Sequence, residues 1–280
     1  MKSILFPTDF TELSLNAFTY AMEYAQKSNS KLIVYHTYSE DSDIPEEAQQ
    51  VYDKVDIQNF RNKKDKFPPF EKLIKESKAG NLKVKYVVNE GNFIDSLKKY
   101  ITRKEDKIDL IIMGTQNKEN SLFNIFMETN TIKILQEINK PVIAIPEKAT
   151  FDGYLNNIAF LVDYREDEKE PLEQVILKTQ EFNSILHVIH FDLAHGESIS
   201  PLMSSFKDSL QLKNLNNTKF ISIDTINLKK SLSEYCVNNT IDMICVINHK
   251  RNFYQRLFSL SLAEDILNHL DIPVMAIYSE

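Results

Sequence analysis

The length of 280 residues predicts two domains, since a domain takes about 150 residues, and each half is long enough to bury its own core. Apolar residues make up 42% and charged residues 26%, with 5 glycines and 9 prolines, which excludes a disordered, collagen-like or disulfide-stapled chain. The net charge of −7 argues against nucleic acid as a partner, because binding phosphates needs a positive surface.

The sequence shows no sign of membrane insertion or export. No apolar run reaches the roughly 18 residues of a membrane helix, and Pro7 and Asp9 interrupt the N-terminal run before it is as long as a signal-peptide core. Cys236 and Cys245 are the only cysteines, and so sparse a pair is expected to be two reduced thiols. We therefore expect a cytoplasmic protein with no membrane partner.

In the first half, short apolar runs alternate with helical patterns, which predicts βαβ units and a parallel sheet. Residues 13–25 have helical spacing with Thr11 as the N-cap, and the charged residues 45–78 predict one long or broken helix. Basic residues within that segment are interpreted as a solvated helix face: Arg61, Lys63, Lys64 and Lys66. The predicted strands are nearly continuous apolar runs, as expected under helices on both faces: 3–6, 32–35, 84–88, 110–113 and 142–145.

The second half repeats the order of the first. Asp163 corresponds to Asp9 at an offset of 154 residues (163 − 9), and residues 184–190 correspond to 30–36 at the same offset. Two later segments repeat at offsets of 133 and 132: 241–244 after 108–111, and 272–277 after 140–145. Four matches in one order predict a tandem duplication of an α/β domain, an open, doubly wound, parallel five-stranded sheet of Rossmann-like type. We expect the copies at residues 1–149 and 154–280.

Ligands of such sheets bind beyond the carboxyl ends of the strands, where the strand order reverses. The segments expected there are Pro7-Thr8-Asp9, His36-Thr37 and Met113-Gly114-Thr115. Together with NTIKIL from Asn130 and the closing NKPVIAIP, they resemble the universal stress protein family over nearly all of both copies.

The resemblance implies an adenine nucleotide alpha hydrolase-like fold, a stress-response role and a site for ATP or another adenine nucleotide in the first domain. The residues that it places at this site are Asp9, Thr37, Met113, Gly114 and Thr129. The family's single-domain members dimerise through the final strand, so the two copies are expected to form an intramolecular pseudo-dimer through residues 142–145 and 274–277. A further homodimer and a small-molecule or protein partner are compatible with this arrangement.

Nucleotide-binding members hold ATP with Gly-x2-Gly-x9-Gly-Ser/Thr after the fourth strand, where bare backbone approaches phosphates. This sequence has Gly114 at the first position and Asn117 at the second, and Met127 or, with one inserted residue, Glu128-Thr129 at the third. A glutamate there would repel a triphosphate. The matching loop of the second copy, residues 247–261, contains no glycine. We therefore expect a non-catalytic stress-response protein with degraded nucleotide sites; the alternative is an ATP-binding sensor or slow ATPase that uses the first domain only.

Several of these residues also have a plainer interpretation. Asp9 and Asp163 either contact a ribose or base, or orient the loop that follows the strand. Gly114 either approaches a ligand or is a turn glycine. Three basic residues of the second copy either bind an anion at a helix start or belong to a solvated loop: His249, Lys250 and Arg251.

Neither catalysis nor metal binding is predicted. His187 and His190 lie on a predicted strand at an odd separation, which directs them to opposite faces, and no other ligand follows at metal-binding spacing. The sequence has no G-x-S-x-G elbow, and neither cysteine has a recognisable base nearby. We therefore assign no catalytic residue and no metal site.

Overall fold

The structure is a computed structural model in which the described residues form two compact units. The described residues are 2–38, 59–62, 67–77, 81–103, 107–115, 134, 138–193, 200–212, 214–248 and 271–278. Among the described residues, those up to Gly153 belong to the first unit and those from Tyr154 onward belong to the second. Within these residues, no helix is both long enough and apolar enough to cross a membrane.

The first unit contains a five-stranded parallel sheet. Its strands are β1 (Ser3–Pro7), β2 (Lys31–Tyr38), β3 (Val84–Glu90), β4 (Leu110–Gly114) and β5 (Val142–Ile145). Their order is β3-β2-β1-β4-β5, and every pairing between neighbours is parallel. The order reverses between β1 and β4, which is where a doubly wound sheet opens a crevice for ligands. The predicted fold class is confirmed.

The helices described in the first unit are α1 (Glu12–Lys27), α2 (Pro68–Glu76) and α3 (Phe93–Thr102). Thr11 is confirmed as the N-cap of α1, since its side chain accepts a hydrogen bond from the backbone N–H of Ser14. Asn92 caps α3 in the same way, accepting from the N–H groups of Ile94 and Asp95. Polar caps therefore fix where both helices begin.

The charged segment 45–78 is broken where the structure describes it. Residues 59–62 are helical, Phe67 is extended, and α2 begins at Pro68, whose missing N–H is tolerated in a first turn. The prediction that Arg61 lies on a solvated face is wrong, because this side chain is buried against His36. Lys63, Lys64 and Lys66 lie outside the described residues.

Aromatic side chains form the core between the sheet and the helices of the first unit. Phe18 of α1 stacks on Phe70 of α2 with ring centroids 4.1 Å apart, and Phe6 of β1 meets Phe18 edge-on at 5.5 Å. Phe10 and Phe67 extend this cluster toward the carboxyl edge of the sheet, with centroids 4.5 Å apart. The core thus continues to the level at which a ligand would bind.

The second unit repeats the sheet. Its strands are β6 (Asn157–Leu161), β7 (Ile185–Asp192), β8 (Thr218–Asp224), β9 (Met243–Asn248) and β10 (Val274–Tyr278). Their order is β8-β7-β6-β9-β10 with parallel pairings, so the reversal falls between β6 and β9. The described helices are a 3-10 turn (Glu166–Glu168), α4 (Lys169–Phe182), α5 (Ser200–Ser209) and α6 (Leu228–Asn238).

Strand β8 was not predicted from the sequence. It alternates half-buried and exposed residues, as in a sheet solvated on one face, instead of forming a continuous apolar run. His187 and His190 of β7 do lie on different sides of the sheet. His187 contacts Tyr235 of α6, whereas His190 packs beside Tyr164, whose ring in turn contacts Phe206 of α5.

Candidate functional site

The residues predicted for a nucleotide site lie along the carboxyl edge of three neighbouring strands in the first unit. Asp9 follows β1, Thr37 is in β2, and Met113 and Gly114 end β4. The register pairs Pro7 with Tyr35, so β2 continues to Tyr38 beyond the end of β1 and places Thr37 beside the loop that contains Asp9. Four further predicted residues lie outside the described part of the chain: Thr129, His249, Lys250 and Arg251.

The carboxylate of Asp9 contacts the start of α1. Its Oδ1 accepts hydrogen bonds from the N–H of Thr11 at 3.1 Å and from the Thr11 hydroxyl at 2.8 Å. Thr11 in turn caps the helix, so Asp9 orients the residue that begins α1. The loop-orienting interpretation of Asp9 therefore agrees with its contacts, while the exposed position of the residue leaves it at the sheet edge.

Gly114 allows close packing between α1 and β4. A Cβ atom at this position would lie 3.1 Å from Leu13 Cγ, 3.2 Å from Ala17 Cβ and 3.2 Å from the Leu13 carbonyl oxygen. Among the described glycines, Gly91 and Gly153 have a positive φ and Gly114 does not. Gly114 is therefore not a turn glycine in the left-handed region. Its bare face is directed at the helix, and this contact alone accounts for a glycine here.

A buried histidine contacts the residues on both sides of Asp9. His36 Nδ1 lies 2.9 Å from the carbonyl oxygen of Thr8, and Arg61 Nε donates to His36 Nε2 at 3.2 Å. Because a carbonyl can only accept, Nδ1 carries the proton and the neutral ring accepts at Nε2. Phe10, with a positive φ of 66°, packs on the same ring at 4.5 Å. Burial, reinforced by the charge of Arg61, lowers the pKa of His36 to about 4.

This histidine should make the stability of the first unit depend on pH. The pKa of His36 falls from 6.5 in the unfolded chain to about 4 in the folded one, so its contribution is complete above pH 6.5 and is lost as the pH falls toward 4. Between pH 7 and pH 5 we expect a loss of about 2 kcal/mol in the free energy of unfolding from this group. Urea denaturation of the wild type and of His36→Gln at both values measures it, and an undiminished pH slope in the variant would contradict the assignment.

The second unit has the same anchor at the offset of 154 residues. His190 (36 + 154) places Nδ1 3.0 Å from the carbonyl oxygen of Val162, and Tyr164 (10 + 154) has a positive φ of 60° and packs on the ring at 5.4 Å. Asp163 Oδ1 lies 3.8 Å from His190 Nδ1. The two units therefore share this strand-end geometry as well as the strand order.

A cavity of about 150 Å³ lies at the carboxyl ends of β6, β7 and β9, at the reversal of strand order in the second unit. Residues 161–163 at the end of β6 line one side, Ile189 and Phe191 of β7 line the next, and Val246 and Ile247 of β9 line the third. Eight of the ten lining side chains are apolar, and the other two are the carboxylates of Asp163 and Glu168. Among the residues that the structure describes, the lining thus contains no cationic side chain.

Four lining residues stand at the positions predicted for nucleotide contact in the first unit. Asp163 and Phe191 correspond to Asp9 and Thr37 (offset 154), and Val246 and Ile247 correspond to Met113 and Gly114 (offset 133). In the second unit these positions line one cavity. The aspartate is retained, whereas Thr37 is matched by the larger apolar Phe191 and Gly114 by Ile247.

Glu168 is the buried acid at this cavity, only 1% exposed. One carboxylate oxygen accepts from the backbone N–H of Asp163 at 2.9 Å and from that of Arg165 at 3.0 Å. These contacts hold the chain in its turn from β6 into the 3-10 segment. Their effect is to fix a negative charge beside the cavity, where a phosphate would be repelled.

Neither cysteine has the environment of a nucleophile. Burial raises the pKa of both Cys236 and Cys245 to about 12, so the thiolate is not populated near neutral pH. In the parts of the chain that the structure describes, no three potential metal ligands cluster together.

The fold defines an α/β protein of the doubly wound class, with a cavity at the reversal of strand order in the second unit. Residues 1–146 match the model of the universal stress protein family. The chain belongs to that family, whose membership supports a role in stress response. Among curated proteins none matches the sequence significantly.

Solved structures show the same fold over the whole chain. A universal stress protein from Archaeoglobus fulgidus has a TM-score of 0.69 at 14% identity, with 99% of this chain and 96% of that one covered. A putative universal stress protein from Pseudomonas aeruginosa has a TM-score of 0.56 at 14% identity, and the match covers 100% of this chain and 94% of that one. The cytoplasmic domain of a prokaryotic cation chloride cotransporter has a TM-score of 0.56 at 13% identity, and the match covers 98% of this chain and 94% of that one.

Three of the cavity residues that were not predicted from the sequence show different reasons for the omission. Phe191 could have been found, because it lies 154 residues after Thr37. Glu168 could not, since it is one of several acids in the run Arg165 to Glu170 and only the fold distinguishes the buried one. Leu228 was not expected at the site because the helix that it begins was not predicted from the sequence.

Proposed function

We propose that this universal stress protein is a non-catalytic regulatory protein whose second unit has lost nucleotide binding. The observation that carries the proposal is the lining of the cavity in the second unit. Ile247 stands where a bare backbone would have to approach a phosphate, and Glu168 adds a buried negative charge beside it. Such a site disfavours a triphosphate both sterically and electrostatically.

In the first unit we propose at most weak binding of an adenine nucleotide. Asp9 remains at the sheet edge, and Met113 and Gly114 end β4 as the family resemblance requires. Against tight binding stand the close contact of Gly114 with α1 and the absence of the second glycine of the motif, replaced by Asn117. Hydrolysis by a slow ATPase would need a better phosphate cradle than these residues offer.

Copurification tests the proposal. Heat-denatured protein should release less than one adenine nucleotide per ten chains on an anion-exchange column, since a weak site loses its occupant during purification. Stoichiometric nucleotide from freshly purified protein would overturn the non-binding role and favour the ATP-sensor alternative.

We further propose that the two units pair within the chain through β5 and β10, and that any homodimer is additional. The support is the duplication, together with the position of β5 and β10 at the end of their units' strand orders, since uncovered edge strands invite aggregation. Light scattering on a dilution series should give the mass of one chain at the lowest concentrations, and small-angle scattering should fit one body. A dimer that unfolds on dilution, or scattering from two separated bodies, would contradict the pairing.

A further inference from the structure

We propose that the cavity of the second unit binds an uncharged apolar molecule whose body is the size of one aromatic ring. The volume of about 150 Å³ sets this size, because an apolar cavity of about that volume in another protein admits benzene. Six of the ten lining residues belong to three neighbouring strands and to the first turn of α6, and all six are apolar: Leu161, Ile189, Phe191, Val246, Ile247 and Leu228.

One residue of the lining is also exposed to solvent. Leu193 lines the cavity and is 52% exposed, so it lies at the rim. A ligand longer than one ring would leave the cavity past this apolar side chain.

Charge decides against an anionic ligand. Among the lining residues that the structure describes, Asp163 and Glu168 carry ionisable side chains, and both are acids. Glu168 is held by two backbone N–H groups and is buried, so its position relative to the cavity is fixed. A phosphate or carboxylate would enter against these two carboxylates, whereas an uncharged molecule gains from apolar burial.

The test is a titration of the full chain, labelled at isoleucine, leucine and valine methyl groups, with benzene and separately with ATP and magnesium. Benzene should shift the methyl signals of Leu161, Val246 and Ile247 saturably, with a Kd on the order of 1 mM or tighter. Val246→Phe, which fills the cavity, should weaken binding at least tenfold, and Val246→Leu should weaken it less. Val237→Phe is the matched control, since Val237 is 60% exposed on α6 and outside the lining; it should leave the affinity unchanged.

The outcomes separate this inference from the proposed function. Non-saturable or absent shifts up to the solubility limit of benzene would overturn the inference while leaving the loss of nucleotide binding intact. ATP shifting the same methyl signals more tightly than benzene would overturn both. If Val246→Phe does not fold, Val246→Leu alone decides, and unchanged affinity in that variant would place the benzene elsewhere and reject the site.

Discussion

Gly114→Val is expected to destabilise the first unit by about 3 kcal/mol in the absence of any ligand. The Cβ alone would approach two side chains and one carbonyl of α1 at 3.1 to 3.2 Å, and the two methyl groups of valine need still more space. Gly114→Ala should cost much less, because a shift of a few tenths of an ångström accommodates one methyl group. Urea denaturation of the nucleotide-free proteins measures both.

The Leu13→Ala/Gly114→Val double variant is the control for this contact. Removing Leu13 Cγ relieves one of the three close approaches. The loss of unfolding free energy in the double variant should therefore be smaller than the sum of the losses in the two single variants. A Gly114→Val protein as stable as the wild type would show that the glycine serves a ligand and not the packing of α1.

Glu168→Ala is expected to destabilise the second unit by about 3 kcal/mol. The change removes the acceptor of two backbone N–H groups at a carboxylate that is 1% exposed. Glu168→Gln keeps an acceptor oxygen, so it should lower the free energy of unfolding by only part of this amount. The measurement is again the free energy of unfolding.

Glu166→Ala provides the matched control two residues away. The side chain of Glu166 is 87% exposed and pairs with Lys169 on the surface, so its loss should change stability by no more than about 0.5 kcal/mol. Equal effects of the two substitutions would mean that the backbone contacts of Glu168 do not hold the turn after β6.

The sequence predicted the architecture well because buried parallel strands are continuous apolar runs. β5 was predicted at its observed bounds, and β1 and β4 to within one residue at their ends. The solvated face of β8 breaks its apolar run, so the same criterion misses it. Helix α1 was predicted together with its cap because Thr11 precedes the first apolar-periodic turn.

The site was less predictable, because side-chain roles depend on contacts between distant segments. A basic residue in a charged run predicts a solvated face, yet Arg61 is buried on the ring of His36, 25 positions before it. Gly114 matches a phosphate-binding motif, but its contacts with α1 concern packing. Only the fold shows that four repeated positions of the second unit meet at one cavity.

Calorimetric titration of the full chain with ATP and magnesium tests the central claim most directly, namely that nucleotide binding is absent from the second unit and weak in the first. Relative to an intact motif, losing two phosphate contacts at about 1 to 3 kcal/mol each weakens binding tenfold or more. We predict at most one weak site, diminished by Asp9→Ala and unchanged by Asp163→Ala. Two tight sites, or one tight site removed by Asp163→Ala, would contradict the claim.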